Sequence, residues 1–367
     1  MDITNELSKS LKQHLSWNKC RIDCFAKMIV AVLTVRTVNL TEWATVFLTK
    51  SNADSAYMRI KRFFRYFNFD GDIIAKLIFM LFGFENGRWY LTLDRTNWEF
   101  GKCKLNFLVL AIAYKGVAIP LMWTLLDKKG NSNCDERIAL IERFILCFGS
   151  GLVAGVLADR EFVGKKWFEY LKTKKIPFFI RIKWNYLVSN STGRLVNAWQ
   201  LFLGLQKGEK RVLMGKRKVF GLEFNLAGLR CDDGDFLIIA TTEQAENAIE
   251  IYAYRWEIEC LFASLKTRGF NLEDTHITQL ERLSKLMGIL AVAFCWAHKV
   301  GEWQNEINPI KIKKHGRKAM SLFHKGLNSL RRILCGLPVQ KTEIMNFIKI
   351  LFLPPQGLQP PKVGVSL

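Results

Sequence analysis

Two apolar runs of this chain each close on an aspartate: "WYLTLD" ends at Asp94 and "LVAGVLAD" ends at Asp159. An ionised carboxylate at the end of a buried strand is costly unless something pairs with it. If the two strands lie side by side, their carboxylates sit within a few ångströms of each other and repel. A divalent cation between them is the natural relief. Each Asp could instead cap the turn or helix that follows it; the pair, in this order, favours a metal.

A second group of side chains lies in "YAYRWEIECLFASLK", Tyr252 to Lys266, which reads as a helix. At about 100° per residue, Tyr252, Arg255, Glu259 and Lys266 project from one stripe roughly 60° wide along about 21 Å of helix. The stripe offers a carboxylate flanked by a guanidinium, an ammonium and a phenol. A salt-bridged surface is the alternative, because Arg255 and Glu259 form an i, i+4 pair. It leaves Tyr252, and the apolar remainder of the helix, without a reason.

Positioning these groups takes a particular set of elements. From Arg88, "RWYLTLD" alternates, and "LNFLVLAIAY" and "VAIPLMWTLL" follow as apolar, strand-like runs. A helical pattern, "CDERIALIERFILCF", comes next, then the strand "LVAGVLAD", the helix "GKKWFEYLKTKK" and the strand "PFFIRIK". The order β-β-β-α-β-α-β mixes antiparallel and parallel pairing, with helices on the faces of one sheet. It is the order of a ribonuclease H-like fold, in which the first strand and the strand after the crossover helix are neighbours. Residues 184–242 are again strand-like, around "RVLMGKRKVFGLEFNLAGLR" and "FLIIATT". The expected class is therefore α/β: a ribonuclease H-like mixed sheet with an inserted β subdomain, flanked by helical N- and C-terminal regions. The corresponding parts are residues 1–85, 86–183, 184–242 (the insertion), 243–300 (with the acidic helix) and 301–367. In the last, Lys311 to Arg332 reads as basic and helical, and the tail "LPPQGLQPPKVGVSL" as irregular.

In the N-terminal part, "TEWATVFL" and "NADSAYMRIKRFFRYF" are two helical patterns joined by a polar turn around Lys50 to Asp54. The second places Ala56, Ile60, Phe63, Phe64 and Phe67 on one side, with Arg59, Lys61, Arg62 and Arg65 largely outside that stripe. This suits a helix-turn-helix, with a buried seam and a basic surface for a groove. An ordinary helical pair with a solvated basic face fits equally well.

Lys and Arg number 54 against 33 Asp and Glu, a formal net charge of +21. An excess of that size concerns partners, and it points to a polyanion such as nucleic acid, with a membrane surface as the alternative. The start "MDITNELSKS" is polar and carries acids, unlike a secretory signal. The longest apolar stretch is broken by Lys115, Gly116 and Pro120, which suits two strands and a turn better than a membrane span; "LMGILAVAFCWA" is too short to span and reads as a core helix. The nine cysteines show no paired CxxC spacing, and Cys20 and Cys24 lack a second pair to complete a zinc site. They read as small buried side chains in a reducing compartment. The five histidines match no metal or triad spacing.

Tyr252-x2-Arg255-x3-Glu259-x6-Lys266 resembles the YREK signature of bacterial insertion-sequence transposases of the DDE class. "LDRTNWEFGK" and "LADREFVG" resemble the segments that hold that family's first and second acids. The resemblance runs from about Arg88 to Gly269 and includes the β insertion ahead of the acidic helix. It implies a catalytic triad of Asp94, Asp159 and Glu259, which would also be the metal ligands. It further implies phosphate contacts from Tyr252, Arg255 and Lys266 on the transposon-end strand. The enzyme implied binds the terminal inverted repeats of its element, cuts DNA at the ends and joins the 3′ ends to target DNA, as a homodimer on paired ends. Its place would be the cytoplasm, on the nucleoid, with no membrane partner. Arg59 and Arg62 of the N-terminal helices are the candidate end contacts.

In-line phosphodiester cleavage needs an activated nucleophile and a stabilised leaving oxygen, which two divalent ions about 3.5–4 Å apart can supply. Hard oxygen ligands favour Mg²⁺, with Mn²⁺ as a substitute, and Asp94, from the central strand, would bridge the two ions. Relatives that cut the second strand through a DNA hairpin stack an extruded base on a tryptophan late in the β insertion. Here Gly221 to Thr242 offers only Phe224 and Phe236; Trp184 and Trp199 lie earlier. Trp199 is the candidate platform, unless both tryptophans simply pack the insertion core. Two other classes remain open: a ribonuclease H-like metal-dependent nuclease, and a non-catalytic DNA-binding protein descended from a transposase.

Overall fold

The computed structural model describes residues 3–47, 52–101, 103–314, 316–336 and 341–355. Residues 48–51, in the turn expected after the first helical pattern, and residues 356–367 of the proline-rich tail lie outside the described residues.

The N-terminal part is helical, as its periodicity predicts: α1 (Ile3–Lys12), α2 (Lys19–Val35), α3 (Leu40–Thr45), α4 (Ala53–Tyr66) and α5 (Gly71–Phe82). Asn18, Asn39, Asn52 and Asp70 each cap a helix start by accepting a backbone N–H, which supplies a partner to an otherwise orphaned donor. In α4 the seam Ala56, Ile60, Phe63 and Phe64 is buried, while Lys61, Arg62 and Arg65 are exposed.

Strands β1 (Trp89–Phe100), β2 (Cys103–Tyr114) and β3 (Val117–Leu125) form the expected meander. Lys115 and Gly116, both at positive φ, make its second turn. Pro120 is tolerated because β3 is an edge strand and its pairing with β2 is irregular there. Helix α6 (Cys134–Phe148) opens with a capping box between Asn133 and Glu136. β4 (Val153–Ala158), α7 (Lys165–Thr173) and β5 (Phe178–Ile182) complete the alternation. β1 pairs with β4 and β4 with β5 in parallel, whereas β2 and β3 are antiparallel. This is the ribonuclease H-like mixed sheet.

The insertion does not stand apart from that sheet. Its strands are β6 (Leu187–Ser189), β7 (Leu195–Asn197), β8 (Lys210–Val212), β9 (Arg217–Val219), β10 (Leu222–Arg230) and β11 (Phe236–Thr241). β11 pairs antiparallel with β5, so among the described residues the order runs β3-β2-β1-β4-β5-β11-β10-β9-β6-β7 without a break, with β8 beside β10. Helix α8 (Ala248–Ala253) follows and covers one face, packed in a cluster with Tyr90, Leu157, Phe179 and Ile239. Adjacent strand residues face opposite sides. Accordingly Phe179 meets α8, while Phe178 stacks on Phe168 of α7 at 5.1 Å.

Helix α9 (Trp256–Leu265) leads to α10 (Leu280–Ile307), α11 (Leu322–Leu334) and α12 (Lys341–Phe352). α10 is long and apolar enough to cross a membrane, but 94% of its apolar window is buried inside the protein. It packs against α11 at two glycines: a Cβ on Gly301 would lie 1.8 Å from the Leu322 carbonyl oxygen, and one on Gly326 would lie 1.8 Å from that of Ala297. The expected helix from Lys311 is corrected. It begins only at Leu322, and before it Ile312 bridges to Lys318 around Gly316, whose φ of 78° ends any helix.

The chain divides into two compact units. One holds residues 3–84, 97–105 and 261–355; the other holds 85–96 and 106–260.

Candidate active site

The parallel pairing of β1 with β4 decides where the two aspartates go. Leu93 is the register partner of Ala158, so Asp94 and Asp159 are the next residues along and lie side by side; Asp159 follows the last residue of β4, whereas Asp94 does not end its strand as expected, because β1 runs on to Phe100. Asp94 is largely buried; one of its oxygens accepts the Arg95 N–H at 2.7 Å. Burial pushes its carboxyl up to about 6, against the lowering pull of the Arg95 N–H and the Arg255 guanidinium, with Glu161 and Asp159 adding to the rise.

The expected single helix over Tyr252 to Lys266 is two helices. The Arg255 N–H donates to the Tyr252 carbonyl at 2.9 Å and the Glu257 N–H to that of Tyr254 at 3.1 Å, i to i−3 bonds of a tighter, 3₁₀-like turn. This turn separates α8 from α9 and replaces the uniform stripe derived from α-helical geometry. Tyr252 lies in α8, Arg255 in the turn, Glu259 in α9 and Lys266 just past its end.

Even so, five of the predicted groups converge. Arg255 Nη1 lies 3.4 Å from Asp94 Oδ2, and its Nη2 donates to Glu259 Oε1 at 2.5 Å. Its Nε is buried without a hydrogen-bond partner. The Tyr252 hydroxyl donates to Asp159 Oδ1 at 3.4 Å, and burial together with Asp159 raises the phenol well above its usual range, against Arg255. Arg255 thus bridges Asp94 and Glu259, Tyr252 bonds to Asp159, and the guanidinium lies 5.7 Å from the Tyr252 ring.

Residues 141–296 match the family model of the transposase DDE domain. The match supports a DDE transposase. It contains Asp159, Tyr252, Arg255, Glu259 and Lys266, and starts downstream of Asp94. No curated protein matches the chain.

Among the described residues, no three His, Cys, Asp or Glu side chains stand close enough to hold a metal ion. In that geometry the Arg255 guanidinium contacts both Glu259 and Asp94. The donor set itself fits a hard divalent cation, being all carboxylate oxygen, with two of the three groups adjacent in register.

The other predicted contacts are placed as follows. Lys266 forms an ion pair with Glu273 at 2.7 Å and donates to the Asn97 carbonyl at 3.3 Å, all within the helical unit. Arg59 pairs with Asp23 at 2.7 Å; Arg62 is exposed. Trp199 is half-buried in a 3₁₀ turn, its ring 6.5 Å from that of Phe236, and its backbone N–H donates to the carbonyl of Trp184, which is 51% exposed.

Two parts of the site escaped the sequence reading. Arg95 grips Glu161 through both carboxylate oxygens, at 2.7 and 3.0 Å, and also donates to Asn106, Gly130 and Asn131. The signal was present: each apolar run closes on Asp-Arg, at Asp94-Arg95 and Asp159-Arg160, with Glu161 next. Glu257 is buried, and its carboxylate accepts the Tyr114 N–H at 2.5 Å and the Gly116 N–H at 2.8 Å, tying the start of α9 to the β2–β3 turn. Burial raises it to about 7 against those two bonds. Nothing in its spacing marks it.

Proposed function

We propose that this chain is an insertion-sequence transposase that binds the terminal inverted repeats of its own element, cuts DNA at their ends and joins the 3′ ends to target DNA. The observation that carries the reading is the convergence of Asp94, Asp159 and Glu259, linked through Arg255 and Tyr252, at the carboxyl end of a ribonuclease H-like sheet. Asp94, Asp159 and Glu259 would hold two Mg²⁺ ions, or Mn²⁺ in their place. Bound there, the ions supply an activated nucleophile and charge stabilisation on the leaving oxygen.

The chain's own groups account for the rest. Arg255 releases Asp94 and Glu259 as DNA enters and turns its fork onto a phosphate, a bidentate partner of the same shape. Tyr252 keeps Asp159 oriented and donates to a phosphate oxygen nearby. Lys266, once freed from Glu273, adds a point charge to the strand. The N-terminal helices, residues 1–85, read the ends through Arg62 and, when its pair with Asp23 opens, Arg59. Residues 86–183 and 243–300 carry the catalytic domain, 184–242 the insertion, and 301–367 help to pair two protomers on two ends. Trp199 is the platform for an extruded base if the second strand is cut through a hairpin.

The test is cleavage of DNA carrying the inverted repeats that flank the reading frame. Asp94→Ala, Asp159→Ala and Glu259→Ala should each abolish cutting and joining in Mg²⁺ while DNA binding by gel shift stays near wild type. A variant that still cuts at near wild-type rate removes that acid from the ligand set, and three such variants remove the reading.

A further inference from the structure

Outside the catalytic site, the helical unit carries a cavity of about 720 Å³, lined in part by Arg62, read above as an end contact. Its size is that of a ligand site. One wall is the solvent-facing side of α4, with Tyr57, Met58, Lys61, Arg62, Arg65 and Tyr66. These positions span an arc of about 180° opposite the buried seam of the same helix. The facing wall comes from the start of α3 and from the segment entering α10, which contributes Thr278, Gln279 and Arg282.

The chemistry of this lining is one-sided. Lys61, Arg62, Arg65 and Arg282 are all cations, and among the described residues no Asp or Glu lines the cavity. Among the described residues none of the four forms an ion pair; Lys61 and Arg65 instead lie over the Tyr57 and Tyr66 rings at 5.3 and 5.2 Å. Arg59 on the same helix shows the contrast, since it is paired with Asp23. Beside the cations, Tyr66 is 64% and Met58 46% exposed, so flat apolar surface is left open to water.

Cations interleaved with exposed rings suit an unpaired polynucleotide strand, whose phosphates meet the charges and whose base faces meet the rings. A duplex offers the same phosphates but keeps its base faces stacked on each other, so it would use only part of the lining. Thr278 and Gln279 add a hydroxyl and an amide that can bond to base edges. We propose that this cavity binds an unpaired segment of DNA strand, with one or two nucleotides inside it. The proposal rests on the transposase reading for the source of the strand.

The experiment measures binding of the full-length protein to a fluorescein-labelled oligo-dT of about ten nucleotides, and to a duplex of the same length, by fluorescence anisotropy at two salt concentrations. Tyr66→Ala should weaken single-strand binding about tenfold or more and duplex binding less than about twofold, while Tyr66→Phe keeps both. Arg282→Gln should lower the single-strand salt slope by about 0.7, the value for one lost phosphate contact. Equal losses on both substrates, or no loss on the single strand, overturn the proposal. So does competition by thymidine monophosphate at concentrations comparable to the oligonucleotide, which would reassign the cavity to a free nucleotide. The two readings separate cleanly. A protein that binds strand in this way but never cuts end DNA keeps this site and loses the transposase function; one that cuts but fails here does the reverse.

Discussion

Arg255 Nη1 lies 3.4 Å from Asp94 Oδ2, across 161 residues of sequence, and the same guanidinium holds Glu259. One arginine therefore neutralises two of the three acids assigned to the metal. Arg255 would then compete with a metal for the carboxylates, besides its proposed role as a phosphate contact. Arg255→Ala should leave metal binding intact or tighten it, read by Mn²⁺ calorimetry, while single-turnover cutting falls by about 10²–10³ from the lost contact to the transferred phosphate. Loss of the ions along with activity would make Arg255 a scaffold for Glu259 instead.

The Asp94 carboxyl, raised by burial from 3.8 to about 6, ties stability to pH. The folded state binds this proton more tightly than the unfolded state, so between about pH 4 and pH 6 stability falls as pH rises, and above that range the full cost of burying the charge remains. In chelator, Asp94→Asn should therefore be more stable than wild type at pH 7.5, by up to about 3 kcal/mol, and close to it at pH 4. Urea titrations at the two pH values check this. An equal difference at both would show that the charge of Asp94 is not what burial opposes.

Glu257 joins two backbone N–H groups of the β2–β3 turn to the helix that bears Glu259. Its amide analogue has one acceptor oxygen and turns an NH₂ group toward the second donor. Glu257→Gln should cost about 1–3 kcal/mol of stability. It should also slow cutting more than it weakens DNA binding, because the start of α9 loses its anchor. Thermal melts with parallel cleavage and gel-shift assays separate the two effects.

In the helical unit, the Lys299 ammonium is buried and donates to the carbonyls of Leu81, Leu351 and Leu353, at 2.5, 2.8 and 2.6 Å. These lie at the ends of α5 and α12, where helix carbonyls lack internal partners. Burial lowers its value from 10.5 to about 7, so the unfolded state binds more protons between those limits and stability should rise with pH across that window. Lys299→Met should flatten the slope and leave the three carbonyls without their donor. The expected result is a loss of about 2 kcal/mol or more and faster hydrogen exchange in α12. An unchanged α12 exchange rate would show that Lys299 does not hold that helix.

Periodicity and residue type carried much of this protein in plain view. The apolar runs "WYLTLD" and "LVAGVLAD" marked two strands and the acid that closes each run, the helical pattern from Cys134 to Phe148 marked α6, and the apolar stripe of α4 named its buried face. Those features are local: burial of one face imposes a period of 2 or 3.6 on the sequence, and capping sets the residue at an element's end. The rest depended on residues far apart in the chain. A 3₁₀ turn at Tyr254 and Arg255, invisible to α-helical arithmetic, set which acids the guanidinium reaches. The pairing of β11 with β5 joined the insertion to the catalytic sheet, and the folding of 276–282 against α4 built a cavity from two stretches about 200 residues apart. Glu257 looked like one more helix acid until the β2–β3 hairpin brought two backbone N–H groups to it. Sequence specifies which side chains are able to ionise, stack or cap; only packing decides which partner each of them meets, because that depends on the path of the chain between them.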